Sequence, residues 1–216
     1  MDEKTNFHTI KMIRIAFFDF SRTIAKGTGF GSGPIFMGRK EEYESLYKKY
    51  KSNELNEEEF IKAVAELWNG FKEKDLSKIY SKIELNPNVE ATLSFLKKKG
   101  IKMALVSNIP LRLAELYRNL GLDYVFGTDC EVKNGVFTGK VLRLNSDKGI
   151  VVKNLCREIS IPLNESIAVG DSIGDIPMFK AVGCNNSISY NAASEVNNYA
   201  KYNIKDFKEI ITIIKK

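Results

Sequence analysis

Histidine is nearly absent from this chain: its 216 residues include one, His8, in a polar leader. That excludes a histidine-based triad or a histidine zinc site, because each needs an imidazole held beside other ligands or a nucleophile. Cysteine is scarce as well. Cys130, Cys156 and Cys184 are widely separated, show no metal-ligand spacing and are too few for a disulfide framework, so they read as small buried side chains. Membrane-length apolar runs are missing, and Met1-Asp2-Glu3-Lys4-Thr5-Asn6 is polar and acidic rather than a basic region leading into an apolar one. The expectation is a soluble, cytoplasmic protein with no membrane partner. Also lacking is a basic stripe interleaved with aromatics. The formal net charge of +6 comes from lysines spread over helical segments, among them Lys48, Lys49, Lys51 and Lys97-Lys98-Lys99. Such charges suit solvated helix faces and last turns. They argue against nucleic acid as a partner and mildly favour an anionic, phosphorylated small molecule. None of this fixes the oligomeric state.

What is present is a repeating pattern of apolar runs that end in polar residues. Ile13-Arg14-Ile15-Ala16-Phe17-Phe18 reads as a buried strand ending at Asp19, and Lys102-Met103-Ala104-Leu105-Val106 as another ending at Ser107-Asn108. Ile167-Ala168-Val169-Gly170 delivers Asp171 and, four residues on, Asp175. A Gly-Asp turn at the carboxyl end of a strand buried on both faces puts oxygen ligands where Mg²⁺ can sit. The other reading of Asp175 is a cap for the helix opened by Pro177. Between strands, Val89, Leu93 and Leu96 share a face before Gly100, and Leu113, Leu116, Tyr117 and Leu120 do so before Gly121. The alternation predicts an α/β fold, a doubly wound parallel sheet.

Two stretches break that pattern. Glu131-Val132-Lys133-Asn134-Gly135-Val136-Phe137 carries Asn-Gly between β-prone runs, which predicts a small antiparallel hairpin flap. Residues 27–84 start with Gly27, Gly29, Gly31 and Gly33 and continue as helical patterns around Glu41 to Tyr50, Glu57 to Trp68 and Asp75 to Ile83. They are expected to form an inserted helical cap on a core of residues 1–26 and 85–216, with the glycines permitting a hinge.

Asp19 with Thr23, Ser107, Lys148, and Asp171 with Asp175 thus fall at or near strand ends, in an order that resembles the haloacid dehalogenase superfamily of phosphohydrolases. Within it the phosphoserine phosphatases are most alike, on Phe18-Asp19-Phe20, Val106-Ser107-Asn108, Glu131 to Gly139, Lys148-Gly149, and Val169-Gly170-Asp171 with Met178-Phe179-Lys180-Ala181. The resemblance implies a Rossmann-like core and a Mg²⁺-dependent phosphatase of a small phosphorylated metabolite. Asp19 would be the nucleophile that forms an aspartyl-phosphate. Mg²⁺ would be held by Asp19, the backbone carbonyl of Ser21 and Asp171, with Asp175 supporting the metal shell. Thr23, Ser107 and Asn108 would belong to the phosphate site, and Lys148 would offset charge on the phosphoryl group and nucleophile. By residue type alone Ser107 fits an N-cap and Lys148 a surface charge equally well. Arg39 fits a partner for a substrate carboxylate or phosphate, or an exposed charge at a helix start.

Three positions depart from the family pattern. Ser21 stands where a second aspartate normally protonates the leaving group and later activates water. A serine hydroxyl has no accessible charge change near neutral pH, and losing such a group costs roughly 10²–10⁴-fold in rate. Gly174 replaces the Asn that relatives acting on phosphoserine place before the last acid, and Gly27-Thr28-Gly29-Phe30 stands where they carry a Glu. Both changes point away from phosphoserine itself. Dehalogenating members also lack the second acid, but they work without metal, which the retained Asp171 and Asp175 oppose. The expectation is a phosphatase weakened at Ser21; the alternative is a catalytically impaired, phosphate-binding regulatory protein.

Overall fold

A computed structural model describes residues 12–144 and 147–215; His8 and the polar leader lie outside the described residues. The apolar run after Arg14 forms β1 (Ile15–Phe18), all four residues of which are buried. With successive side chains on opposite faces, Ala16 and Phe18 join one core with Leu93, Leu96 and Phe207, while Ile15 and Phe17 join another with Val152, Leu155, Met178 and Phe179. A strand covered on both faces has no use for polar alternation, which is why this sequence is uniformly apolar.

Around β1 lie β2 (Lys102–Pro110), β3 (Tyr124–Lys133), β4 (Val136–Arg143), β5 (Ser166–Gly170), β6 (Ser187–Tyr190) and β7 (Tyr202–Ile204). They form one sheet in the order β4-β3-β2-β1-β5-β6-β7. Every neighbouring pair is parallel except β3 and β4. Strand order reverses at β1, whose neighbours are β2 and β5, so the crevice at the carboxyl ends of these three strands is the place where such a sheet binds ligands. The doubly wound α/β fold is as the strand pattern implied.

Helices α5 (Val89–Lys98), α7 (Lys148–Glu158) and α8 (Ile176–Val182) pack on the sheet and α10 (Glu209–Ile214) packs on α5, while α6 (Leu111–Ala114) and α9 (Ser194–Asn197) are short helices in the connections between strands. Past Lys98 the chain turns at Gly100 with φ +71°, and the short helix and 3₁₀ turn spanning 111–120 end at Gly121 with φ +93°, left-handed conformations that glycine adopts without a Cβ penalty. Residues 27–84 supply α1 (Ser32–Phe36), α2 (Lys40–Lys51), α3 (Glu57–Leu67) and α4 (Leu76–Tyr80). Their buried Tyr43, Ile61, Val64 and Trp68 are continuous with the core on the Phe18 face. Among the described residues no helix is long and apolar enough to cross a membrane.

Several details refine the sequence reading. Two of the glycines ahead of α2 sit in close packing, since a Cβ on Gly31 would meet the Tyr43 ring at 2.5 Å and one on Gly33 the Trp68 ring at 2.6 Å, whereas Gly27 has nothing within 4 Å. The antiparallel hairpin forms as expected, turning at Asn134 and Gly135 with φ +50° and +73°, and it is continuous with the sheet. β3 leaves its parallel pairing with β2 to run antiparallel to β4, and β4 is tied to the helical segment by hydrogen bonds from the Gly70 N–H to the Phe137 carbonyl and from the Phe137 N–H to the Phe71 carbonyl. β2 runs beyond Val106 to Pro110, but Val106 pairs with Phe126 and Pro110 with Thr128, so Ser107, Asn108 and Ile109 bulge out of the ladder. Cys130 and Cys156 are buried as expected, whereas Cys184 is exposed because it opens the surface turn that follows α8.

Candidate active site

Asp19 immediately follows β1 and is buried at the sheet edge, its N–H bonded to the Val169 carbonyl of β5. Lys148, the first residue of α7, reaches it. The ammonium donates to Asp19 Oδ1 and to Asp175 Oδ1, each at 2.6 Å. This lysine is 5 % exposed, not a surface charge. Its placement depends on two local features. Asp147 caps α7 by accepting from the Gly149 and Ile150 N–H groups, and Gly149 packs so closely on α8 that a Cβ would meet the Pro177 carbonyl oxygen at 2.4 Å.

The Asp175 side chain does not cap the helix opened by Pro177; it turns back toward the end of β5. Oδ2 accepts from the Asp171 N–H, the Ser172 N–H and the Ser172 hydroxyl at 2.9–3.0 Å, fixing the turn after β5, while Oδ1 stays on Lys148. Asp171 accepts from the Arg22 Nε at 2.7 Å. Arg22, at φ +61°, is a site residue that sequence reasoning missed.

Oxygens of Asp19, Asp171 and Asp175 lie within 4.8 Å of one another. Burial, first, and the neighbouring carboxylates push the Asp19 and Asp171 carboxyls above the usual carboxylate range, although Lys148 pulls both down and Arg22 pulls Asp171 down further. Burial alone would lower the Lys148 ammonium, but Asp175 and Asp19 more than offset that and hold its pKa above the ordinary lysine value. An all-oxygen donor set with surplus negative charge fits a hard divalent cation, which would relieve the repulsion.

Asp19, Ser21, Ser107, Asn108, Lys148 and Asp171 line one cavity of about 100 Å³. Its outer wall comes from the helical segment: Tyr43, Tyr47 and Tyr50 of α2, with Glu57 and Phe60 of α3. The Ser21 hydroxyl oxygen accepts from the Gly29 N–H at 3.1 Å. Thr23 is fully buried, with its hydroxyl 3.5 Å from Asp171 Oδ1, and it lies behind the cavity rather than in its wall. Arg39 is placed apart from the site. Its guanidinium forks onto the Glu42 carboxylate and donates to the Leu67 carbonyl.

A family model for haloacid dehalogenase-like hydrolases matches residues 5–183. The chain belongs to that family. Among curated relatives of this hydrolase, the phosphoserine phosphatase of Methanocaldococcus jannaschii is 28% identical over 212 residues, covering 95% of this chain and 99% of its own. The phosphoserine phosphatase of Lactococcus lactis is 30% identical over 167 residues, 76% of each chain. A solved structure described as a phospho-aspartyl intermediate analogue of phosphoserine phosphatase superposes with TM-score 0.82 at 27% identity, covering 94% of this chain and 99% of that one. A HAD family hydrolase from Salmonella enterica shares the fold, with TM-score 0.87 at 20% identity over 94% of this chain and 71% of that one. The hydrolase is therefore phosphoserine phosphatase-like, an enzyme acting on phosphoric monoesters.

Proposed function

We propose that this hydrolase is a Mg²⁺-dependent phosphatase of a small phosphorylated metabolite, working through an aspartyl-phosphate on Asp19 beneath a cap formed by residues 27–84. The observation that carries the reading is the buried Asp19 carboxylate on Lys148, facing a cavity that also holds Ser107 and Asp171. Asp19 attacks phosphorus in line, the bond to the leaving oxygen breaks, and water later displaces Asp19 from phosphorus. Ser107 and the Asn108 N–H, both in the β2 bulge, hold non-bridging oxygens. Lys148 neutralises charge shared between nucleophile and phosphoryl group. Asp19, the Ser21 carbonyl and Asp171 would hold the metal, and Asp175 would support them through the Asp171 N–H. Bound Mg²⁺ supplies charge neutralisation at the phosphoryl oxygens.

Phosphate release from a panel of phosphomonoesters, with Mg²⁺ and with chelator, tests this in the natural chain and in Asp19→Asn. Metal-dependent release lost in Asp19→Asn is expected; release that survives in that variant sinks the chemistry. A second reading is favoured by the Ser21 hydroxyl, which is engaged by the Gly29 N–H and carries no titratable proton for the leaving group. It predicts a silent natural chain that gains turnover in Ser21→Asp, as a phosphate-binding regulator would.

A further inference from the structure

Glu57, Glu58 and Glu59 open α3 as three consecutive acids, but they are not equivalent. Glu59 closes a capping box with Asn56, and Glu58 pairs with Lys62 on the exposed face. Glu57 alone of the three is half-buried and lines the Asp19 cavity.

Its position can be triangulated from both sides of β1. Glu57 Oε1 accepts from Asn108 Nδ2 at 2.8 Å, at the end of β2. The same oxygen lies 2.9 Å from where a Cβ on Gly174 would stand, in the turn after β5. Because β2 and β5 flank β1, a side chain touching both crosses the mouth above Asp19. Gly174 does not take a positive φ, so its backbone does not demand glycine; a Cβ there would meet the far end of the Glu57 side chain and push its carboxylate aside. One atom beside Glu57 lacks a partner: Asn108 Oδ1 is buried with none among the described residues, leaving a donor to come from the cavity.

We propose that Glu57 is the general acid and base of this phosphatase, doing from the helical segment what Ser21 cannot; the inference rests on the function proposed above. In the first step the Asp19 carboxylate bonds to phosphorus, the leaving oxygen departs with the electron pair of its P–O bond, and Glu57 gives it a proton. In the second, Glu57 as carboxylate takes a proton from water while the water oxygen bonds to phosphorus. The P–O bond to Asp19 then breaks, phosphate leaves and Glu57 is again protonated. Asn108 Oδ1 accepts a hydrogen bond from the other O–H of that water, whose proton stays on the oxygen. The groups facing Glu57 favour proton transfer. Burial raises its pKa above the ordinary glutamate value, Lys148 and the Asn108 hydrogen bond pull it down, and Asp175 and Asp147 raise it. Tyr50 is the titratable neighbour on α2. A raised carboxyl is the state a general acid needs near neutral pH.

The test uses 4-nitrophenyl phosphate with Mg²⁺, comparing the natural chain with Glu57→Gln, which keeps the oxygen facing Asn108, and with Gly174→Ala, whose methyl displaces the carboxylate without touching its chemistry. A good leaving group needs no acid, so Glu57→Gln should release about one equivalent of 4-nitrophenolate in a burst. Turnover should then fall roughly 10²–10⁴-fold with phosphorylated protein accumulating. The pH–kcat profile should lose the limb due to Glu57, and Gly174→Ala should show the same slow turnover. Unchanged kcat in Glu57→Gln, or a rise in KM alone, overturns the inference and leaves the phosphatase reading intact. Absence of Asp19-dependent release from the natural chain overturns that reading and this inference with it.

Discussion

Lys148 donates to Asp19 across 129 positions of the chain, at 2.6 Å, with both side chains 6% exposed. Removing one partner of such a buried pair leaves an uncompensated charge and costs about 3–5 kcal/mol. Lys148→Met should therefore lower the urea midpoint of the metal-free protein and abolish phosphate release. Because a protonated Asp19 needs no cation, the stability loss should be smaller at pH 5 than at pH 8. An equal loss at both would mean that Lys148 contributes packing rather than charge.

Glu57 gives a pH dependence of stability with a definite sign. Its carboxyl is raised above the ordinary value of 4.5, first by burial. The folded state therefore holds the proton at pH values where the unfolded chain has lost it, and the unfolded state binds fewer protons there. That stability is fully present below about pH 4.5 and is lost as pH rises through the folded value. Glu57→Gln keeps a neutral side chain at every pH. Its urea midpoint should exceed that of the natural chain more at pH 7.5 than at pH 4, a gain in stability accompanying the loss of turnover. A difference independent of pH would show that Glu57 ionises as freely in the fold as out of it.

Metal binding can be read without activity. Asp19, Asp171 and Asp175 place oxygens within 4.8 Å of one another, and a ligand that binds only the folded state stabilises it by about 2.7 kcal/mol at 100 times its Kd. Mg²⁺ should raise the melting temperature in a saturable manner, and Asp171→Asn should remove most of that shift. An equal response in the variant would place the ion elsewhere.

The sequence exposed the sheet edge more readily than the wall facing it. Asp19, Ser107 and Asp171 end apolar runs, and such runs are the direct signature of strands buried on both faces. Lys148 was placed by resemblance, since nothing in Asp147-Lys148-Gly149 alone separates a helix start from a surface charge. Glu57 was illegible because three glutamates in a first helical turn have an ordinary explanation in capping and the helix dipole. Its signal was split between two distant positions, a spare acid at 57 and a missing side chain at 174. Arg22 was hidden for another reason: its approach to Asp171 follows from a left-handed backbone at φ +61°, which residue type does not announce. Arg39 has two readings in the sequence, a substrate partner or a charge at a helix start, and only the structure shows Glu42, three residues on, engaging it.

Ser21 and Glu57 line the same cavity, so substitutions at the two positions should not act independently. If Glu57 carries the proton, Ser21→Asp in the natural chain adds a second acid to a site already supplied, and the gain in kcat should be small. In Glu57→Gln the same substitution restores a titratable group beside the leaving oxygen, and most of the lost turnover should return. The new carboxylate can still accept from the Gly29 N–H that the Ser21 hydroxyl oxygen now receives at 3.1 Å, so the loop beneath it keeps its anchor. Steady-state kinetics on the natural chain, the two single variants and the double variant would measure the coupling. Strong rescue in the double variant, with little effect of Ser21→Asp alone, is expected. A large gain from Ser21→Asp alone, with Glu57→Gln inert, would return the missing acid to position 21 and leave the natural chain without one.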